Sequence, residues 1–273
     1  MLEPTVARRG VGSAANILEL IYVSTVRNIR KAHGNALWGL FMAITQSLTF
    51  VLVFYLMFSI LGMKRSQIRG DFLLYIMSGV FLYMTHIKGM GAVVGSEGPA
   101  STMMKHAPMT TAISITSSAL AALYTQVLSA VVILGVYHLG WGPVVINDPV
   151  GTVAMFLLAW FSGVSIGMVF LAMKPWAPDP ISIASSLYTR ANMIASGKML
   201  VANNTPYSIL IYFTWNPLFH CIDQARGFVF QNYFPHHSNI TYPVVLSCSL
   251  LAIGLMGEFF TRKHASASWY ARR

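Results

Sequence analysis

Long apolar stretches, separated by short polar segments, recur along most of the chain. Five of these stretches are long enough to cross a membrane as helices: residues 36–62, 72–95, 111–139, 150–173 and 242–260. A helix needs about 20 apolar residues to span about 30 Å of hydrocarbon. A sixth, interrupted stretch covers residues 181–201. Because no ten-residue alternating segments recur as in a barrel, the pattern predicts an all-α integral membrane protein with six transmembrane helices.

The region from residue 181 to residue 243 departs from the simple pattern of the other stretches. Arg190 and Lys198 lie inside an apolar stretch, and residues 203–206 (Asn-Asn-Thr-Pro) interrupt it. A cation near the bilayer centre costs roughly 2.5–3.5 kcal/mol on insertion scales, so it tends to face a bundle interior, a partner or a water-filled path. We therefore expect this region to carry information about what the protein moves.

The segment 207–231, between the fifth and sixth predicted spans, is predicted to form two short re-entrant helices in the outer leaflet. Residues 207–215 are too few to cross the membrane, and Pro217 forces a turn after Asn216. The second helix has an amphipathic pattern, with apolar positions set against polar ones: Phe219, Ile222 and Phe230 against Asp223, Gln224 and Arg226. Such backbone is tolerated at membrane depth only where protein or water covers it.

The N-terminal residues 14–31 are predicted to form an amphipathic helix that lies in the headgroup plane. Leu18 and Tyr22 fall on one helical stripe, and Arg27 and Asn28 fall on the opposite side. The alternative is a basic flank that only sets the topology. No apolar core with a small-residue cleavage site indicates a signal peptide here.

The loop 96–108, between the second and third spans, has prolines near both ends, Pro99 and Pro108. Pro99 suits a first helical turn, so the loop is predicted to contain a short helix on the cytoplasmic side. Met103 and Met104 would then be exposed apolar groups, which adapt well to a groove on a partner. A plain loop is the alternative.

Composition agrees with a membrane protein, and charge sets its orientation. Hydrophobic residues make up 55% of the 273 residues and charged residues 10%, with a formal net charge of +10. Placing the N-terminus in the cytoplasm puts twelve of the 18 Lys and Arg residues inside, which satisfies the positive-inside rule. The residues that then face outside are Lys64, Arg65, Arg69 and Arg226. Both termini are predicted to be cytoplasmic, and nucleic-acid binding is not indicated.

Motifs for chemistry within the chain are missing from the sequence. Gly197-Lys198 is followed by Met199, and position 192 is Asn, so there is no phosphate-binding loop. No catalytic carboxylate pair, Ser-His arrangement or metal-ligand spacing occurs. The chain is therefore predicted not to be an enzyme and to bind no cofactor of its own.

Three smaller features of the predicted spans bear on packing. The Gly91–Gly95 and Gly163–Gly167 pairs have the spacing of close helix contacts, a spacing that also arises by chance. His86 is predicted to be a packed or hydrogen-bonded core residue rather than a proton relay. Lys88 is predicted to extend toward the headgroups.

Five sequence features, in this order along the chain, resemble the ABC-2 type exporter permeases, especially those for capsular polysaccharide and O-antigen. They are the N-terminal helix, the Phe72–Gly79 opening of the second span (FLLYIMSG), the loop ending at Pro108, Asn216-Pro217-Leu218 followed by Arg226-Gly227, and the closing Gly257–Arg262 (GEFFTR). The resemblance extends over nearly the whole chain and implies a single transmembrane domain over residues 1–273.

The resemblance implies a half-transporter in the bacterial inner membrane. Two copies of the chain would line a path and bind two copies of a cytoplasmic ATPase, which would bind ATP and Mg²⁺. The loop 96–108 would couple to the ATPase, through a set of residues that comprises Pro99, Met103, Met104, Lys105 and Pro108. The short helices of 207–231 would form the outer gate, with Asn216, Pro217, Phe219 and Arg226. Periplasmic or outer-membrane export proteins are further possible partners.

The substrate prediction depends on three residues of the interrupted span. Arg190 and Lys198 in a wet path would attract an acidic, lipid-linked polysaccharide, and Tyr188 would offer a ring face to sugars. The alternative for Arg190 is that it extends toward the headgroups or pairs across the dimer. Two other functions remain open: an ABC-2 exporter of small lipophilic compounds, and a non-transporting membrane anchor in a glycan-assembly complex.

Overall fold

The computed structural model describes residues 11–31, 36–60, 62, 68, 70–98 and 110–264. Throughout these residues the regular structure is helical, with no strand. The helices are α1 (Val11–Lys31), α2 (Ala36–Ile60), α3 (Phe72–Val94), α4 (Thr111–Gly140), α5 (Pro149–Met173), α6 (Pro178–Ala195), α7 (Tyr207–Leu210), α8 (Pro217–Val229) and α9 (Thr241–His264). A short 3₁₀ turn covers Ala202–Asn204.

Five helices are long and apolar enough to cross a membrane, counted over the described part of the chain: α2, α3, α4, α5 and α9. They correspond to the five uninterrupted apolar stretches of the sequence, so the prediction of an all-α, multi-pass membrane protein is confirmed. The predicted sixth span is not among the five. Its helix, α6, has 18 residues and ends at Ala195 rather than at residue 201. At 1.5 Å per residue it is about 27 Å long, close to the hydrocarbon thickness, but serines, Thr189, Arg190 and Asn192 lower its apolar character.

Helix α3 forms the centre of the helix bundle. In its most apolar window 78% of the residues are buried, against 17% for α2, which therefore lies at the periphery. Helix α3 contacts α2, α4, α5 and α8, and α5 contacts α9. Asp71 begins α3 as its N-cap, because its carboxylate accepts hydrogen bonds from the backbone N–H of Leu73 and Leu74.

The close contact between α3 and α5 depends on two glycines of α5. A Cβ placed on Gly163 would lie 2.1 Å from the carbonyl oxygen of His86, and one on Gly167 would lie 2.8 Å from that of Met90. No larger residue fits at Gly163, so this predicted glycine pair is a true packing face. The Gly91–Gly95 pair of α3 is not, since a Cβ on Gly91 would meet nothing within 4 Å.

Helix α1 is confirmed as a helix and packs against α4. The side-chain amide of Asn28 donates hydrogen bonds to the hydroxyls of Ser117 (3.1 Å) and Ser118 (3.2 Å). Leu18 and Tyr22, on the predicted apolar stripe, are 66% and 69% exposed. An exposed apolar stripe is what a headgroup-plane helix requires, and that placement stays a prediction.

The segment predicted as the outer gate contains two short helices, as expected, with α7 a single turn and α8 three turns. Both faces of α8 are buried because it packs against α3, α5 and α9. The polar positions are buried too, with Asp223 2% and Arg226 1% exposed. The charge count assigns Arg226 to the outer side of the membrane, and that assignment stays a prediction; within the protein, internal hydrogen bonds hold its guanidinium away from solvent.

The predicted coupling loop is described only from Ser96 to Gly98. Its proposed contact residues lie outside the described residues: Pro99, Met103, Met104, Lys105 and Pro108.

Candidate functional site

A cavity of about 1350 Å³ lies between α1, α2, α3, α4 and α6. Apolar residues form the larger part of its lining, and polar side chains enter it from all five helices and from the residue after α5. The polar lining consists of Asn28, Gln46, Lys88, Ser118, Thr125, Gln126, Lys174, Ser185, Ser186 and Thr189. Hydroxyl and amide groups of this kind form hydrogen bonds with a hydrophilic solute, and the two ammonium groups attract anions.

The two lysines of the cavity lie toward the same ends of their helices. Lys88 is near the C-terminal end of α3 and is half-buried, and Lys174 directly follows α5. The ammonium of Lys174 donates a hydrogen bond to the carbonyl oxygen of Val94 (2.9 Å). That carbonyl is one of the unpaired acceptors at the C-terminus of α3, where a cation is favoured. The charge pattern of the sequence predicts this end of the bundle to be cytoplasmic.

Small residues on the surrounding helices make room for the cavity. Gly91 and Gly95, which do not form a helix contact, line it together with Gly39, Ala43, Ala92, Ala121 and Ala122. The Gly91–Gly95 spacing in the sequence therefore marks a place where the cavity is open. It does not mark a contact between helices.

None of the three residues predicted to line a translocation path is among the residues lining this cavity. Tyr188 is turned toward α3, and its hydroxyl lies 2.9 Å from Nε2 of His86. Nδ1 of His86 lies 2.9 Å from the hydroxyl of Ser162 and 3.1 Å from the carbonyl oxygen of Ala159. These groups form a buried polar link from α5 through α3 to α6, which confirms His86 as a hydrogen-bonded core residue. Tyr188 is thereby fixed in place.

Arg190 is exposed on α6. Four large apolar side chains of the same helix are exposed as well: Ile183 (61%), Leu187 (58%), Met193 (40%) and Ile194 (74%). This surface of α6 is uncovered in a single copy of the chain. The prediction that Arg190 faces a path between two copies stays a prediction, and so does its alternative, that Arg190 extends toward the headgroups or pairs across the dimer.

Lys198 is 3% exposed and lies in a cage of aromatic rings. Its Nζ is 3.3 Å from the ring centroid of Tyr83, 5.0 Å from that of Phe54 and 5.7 Å from that of Phe50. The faces of these rings attract a cation. Phe50 and Tyr83 also line the cavity, so Lys198 lies behind its wall. The aromatic cage was not predicted, although Phe50 and Phe54 have the i, i+4 spacing that places two rings on one helix face.

Arg226 fixes the turn that contains Lys198. Its guanidinium donates hydrogen bonds to the carbonyl oxygens of Leu200 (2.6 Å), Gly197 (3.3 Å) and Lys198. It also stacks 4.2 Å from the ring centroid of Tyr75. Arg226 is therefore an anchor for the connection after α6.

Two glycines allow the backbone of this connection to approach α3 and to turn. A Cβ on Gly79 would lie 2.8 Å from the carbonyl oxygen of Lys198. Gly197 has a φ of +67°, in the left-handed region that favours glycine, and follows Ser196, the C-cap of α6.

Asn216 joins the end of α6 to the beginning of α8. Its amide nitrogen donates to Oδ1 of Asn192 (2.7 Å) and to the carbonyl oxygen of Ala195 (2.9 Å). Its Oδ1 accepts from the backbone N–H of Leu218 (3.0 Å), so Asn216 is also the N-cap of α8. Pro217 follows as the first residue of α8. Asn192, which sequence reasoning missed, completes this link.

The remaining predicted gate residue, Phe219, is 3% exposed and packs against Phe213 and Gly197. The four predicted gate residues thus all lie at buried contacts of α8, and their gating role stays a prediction.

Asp223 anchors the chain that follows α8. Its carboxylate accepts hydrogen bonds from the hydroxyls of Tyr233 and Ser238. Burial, together with the neighbouring Asp223 carboxylate, raises the pKa of the Tyr233 phenol, so the phenol stays a donor. Both oxygens of the Asp223 carboxylate thus accept internal hydrogen bonds, which indicates a structural role rather than a role in transport.

No protein-family model matches this sequence, and no curated protein sequence matches it at a significant level. Over the described residues, no group of three or more His, Cys, Asp or Glu side chains is placed to hold a metal ion. The candidate site is therefore interpreted from its own geometry: a large cavity with polar side chains and two lysines in its lining, and a caged lysine behind its wall.

Proposed function

We propose that this chain is the permease subunit of an ATP-driven exporter that moves an acidic, lipid-linked polysaccharide out of the bacterial cytoplasm. The observation that carries the proposal is the cavity of about 1350 Å³ with its polar lining and two lysines. Sites for drug-sized ligands are usually about 300–1,000 Å³ and mostly apolar. A cavity above this size range, with two lysines and eight further polar side chains in its lining, suits several sugar units better than a small lipophilic compound.

The end of the bundle at which the two lysines lie supports transport outward. Lys88 and Lys174 are at the ends of α3 and α5 that the positive-inside rule assigns to the cytoplasm. An acidic solute would therefore meet a cationic surface as it enters from the inside.

We further propose that α6 is the sixth crossing. Lys174, after α5, and Arg262-Lys263, at the end of α9, are both assigned to the inner side. The chain must then cross outward once between Lys174 and the beginning of α9. Helix α6 supports this reading, because it is about 27 Å long and is followed by α7 and α8, which are too short to cross. The protein would then lie in the inner membrane with both termini in the cytoplasm.

The resemblance also supplies the partners of the proposed exporter, a second copy of the chain and an ATPase. A second copy would cover the exposed surface of α6 that carries Arg190, and a soluble ATPase would dock at the loop 96–108. Energy would enter at the cytoplasmic face, and α7 and α8 would move at the outer face. The hydrogen bonds of Asn216 between α6 and α8 support a coupled movement of these two helices.

Deletion of the gene in its own bacterium, with the polysaccharide measured both inside the cell and at the surface, tests the proposal. We expect lipid-linked polysaccharide to accumulate inside and to disappear from the surface. Unchanged surface polysaccharide would contradict the proposal and favour an exporter of small lipophilic compounds. Loss from both locations would favour an anchor subunit of an assembly complex. Purification of the chain with an attached ATPase gives independent support.

A further inference from the structure

Lys198 differs from two other cations that contact the protein interior. Arg226 donates to three carbonyl oxygens, and Lys174 donates to one. The Nζ of Lys198 is buried and has no hydrogen-bond partner among the described residues. Burial without a partner disfavours the charged ammonium, and the aromatic rings offset only part of that cost. A cation at this position therefore contributes little to the stability of the fold.

The cage of Lys198 and the cavity share two residues. The rings of Phe50 and Tyr83 contact the ammonium, and both residues also line the cavity. Tyr83 is 4% exposed and its hydroxyl lies 3.4 Å from the carbonyl oxygen of Thr189, whereas Phe50 is only half-buried. Phe50 is therefore the more movable of the two rings.

The backbone of Lys198 is held while its side chain is not. Arg226 binds the carbonyl oxygen of Lys198, and Gly79 packs against the same peptide. The ammonium is at the end of a flexible four-carbon stem and is held by ring contacts alone among the described residues. An anion in the cavity beside Phe50 and Tyr83 would offer this ammonium a stronger partner than an aromatic ring does.

We infer that Lys198 binds the anionic group of the cargo, a phosphate or a carboxylate, at the part of the cavity lined by Phe50 and Tyr83 once the Phe50 ring moves aside. The inference rests on the proposed function, because it names the group by which the cargo is recognised. A phosphate would come from the lipid linker and a carboxylate from an acidic sugar. The ammonium recognises the negative charge that they share.

Calorimetric binding to the purified full-length chain in neutral detergent tests the inference and separates the two sources. The probes are dihexanoyl phosphatidic acid, which carries a phosphate monoester, and a glucuronic-acid oligosaccharide, which carries carboxylates. We expect the chain to bind at least one probe, and the probe that it prefers identifies the source. We expect Lys198→Gln to weaken that binding about tenfold or more, a loss of about 1.4 kcal/mol or more.

Three further variants make the binding test specific. Lys198→Arg keeps the cation and is expected to retain most of the affinity. Lys263→Gln removes an exposed lysine at the end of α9 and is the matched control, with affinity expected to be unchanged. Phe50→Ala shortens the movable wall and is expected to tighten binding or to leave it unchanged. Failure of the wild-type chain to bind either probe overturns the inference, and so does wild-type affinity in Lys198→Gln.

Thermal unfolding of Lys198→Met distinguishes a binding role from a structural one. Methionine is one atom shorter than lysine and still packs against the rings, but it removes the buried ammonium, so we expect a higher unfolding temperature together with lost anion binding. A lower unfolding temperature, or a chain that does not fold, would make Lys198 a structural residue and overturn the inference. These measurements use the isolated chain without an ATPase, so their failure is distinct from failure of the export experiment.

Discussion

The guanidinium of Arg226 donates a hydrogen bond to the backbone carbonyl of Lys198, so one buried cation fixes the position of another. The two residues are 28 positions apart in the sequence and belong to different elements. Arg226 is on α8, and Lys198 is in the connection after α6. Through this contact, α8 fixes the backbone from which the Lys198 side chain extends toward its aromatic cage.

Replacing Arg226 with lysine is expected to destabilise the protein. A lysine ammonium cannot reach three carbonyl oxygens with the planar fork of a guanidinium, and buried acceptors would lose their donors. We expect the free energy of unfolding to fall by about 2–5 kcal/mol. Chemical unfolding in detergent measures this change. Arg262→Lys, at an exposed position on α9, is the control, and an equal effect of the two variants would contradict the anchoring role.

Alanine is expected to have opposite effects on stability at Gly163 and at Gly91. Each is the first glycine of a pair with the same spacing. In Gly163→Ala, the added Cβ would lie 2.1 Å from the carbonyl oxygen of His86, so α3 and α5 must move apart. We expect a loss of about 1–3 kcal/mol of stability. In Gly91→Ala, the Cβ enters open space, and alanine favours the helix by up to about 1 kcal/mol. Unfolding midpoints compare the two, and a stable Gly163→Ala would refute the close packing.

Asn192 and Asn216 are expected to be energetically coupled. Each single alanine variant removes the hydrogen bond between them, and Asn216→Ala also removes the cap of α8. A double-mutant cycle isolates the shared term, which we expect to be about 0.5–3 kcal/mol. Asn216→Asp serves as the control, because it keeps an acceptor for the cap but loses the amide donor. Additive single effects would show that the link between α6 and α8 carries no energy.

Arg190→Gln is expected to reduce surface polysaccharide while the amount of the chain in the membrane stays constant. The side chain is exposed on α6, so its removal is not expected to unfold the chain. The reduction would reflect lost attraction for an acidic polymer between two copies. Quantitative surface staining, with membrane levels measured in parallel, gives the result. Unchanged export would remove Arg190 from the translocation path.

Cysteine labelling tests whether α6 crosses the membrane. In a chain with Cys221 and Cys248 replaced by alanine, a cysteine at exposed Ser182 would precede the crossing, and one at exposed Asn232 would follow it. We expect a membrane-impermeant maleimide to label Asn232→Cys in intact spheroplasts and Ser182→Cys only after lysis. Glu19→Cys on α1 is the inner-side control. Labelling of Ser182→Cys and Asn232→Cys from the same side would leave five crossings.

The sequence was least informative where one residue type serves two physical purposes. The spacing of Gly91–Gly95 and of Gly163–Gly167 is the same, yet the first pair borders a cavity and the second a helix contact. A glycine removes a side chain in both cases, and only the position of the neighbouring helix decides what occupies the space. The same holds for Arg226, because a basic residue on an amphipathic helix faces water or carbonyl oxygens depending on what packs against that helix.

By itself, the sequence determined the class of the protein, five membrane-spanning helices and the proline-led start of α8 at Pro217. These features follow from local chemistry, since hydrocarbon length fixes the apolar runs and a proline lacks the N–H that would extend a preceding helix. Tertiary structure alone decided that Lys198 lies in an aromatic cage behind the cavity, with Arg226 holding its backbone. Contacts between residues far apart in sequence determine where these charges lie, and no local sequence pattern predicts such contacts.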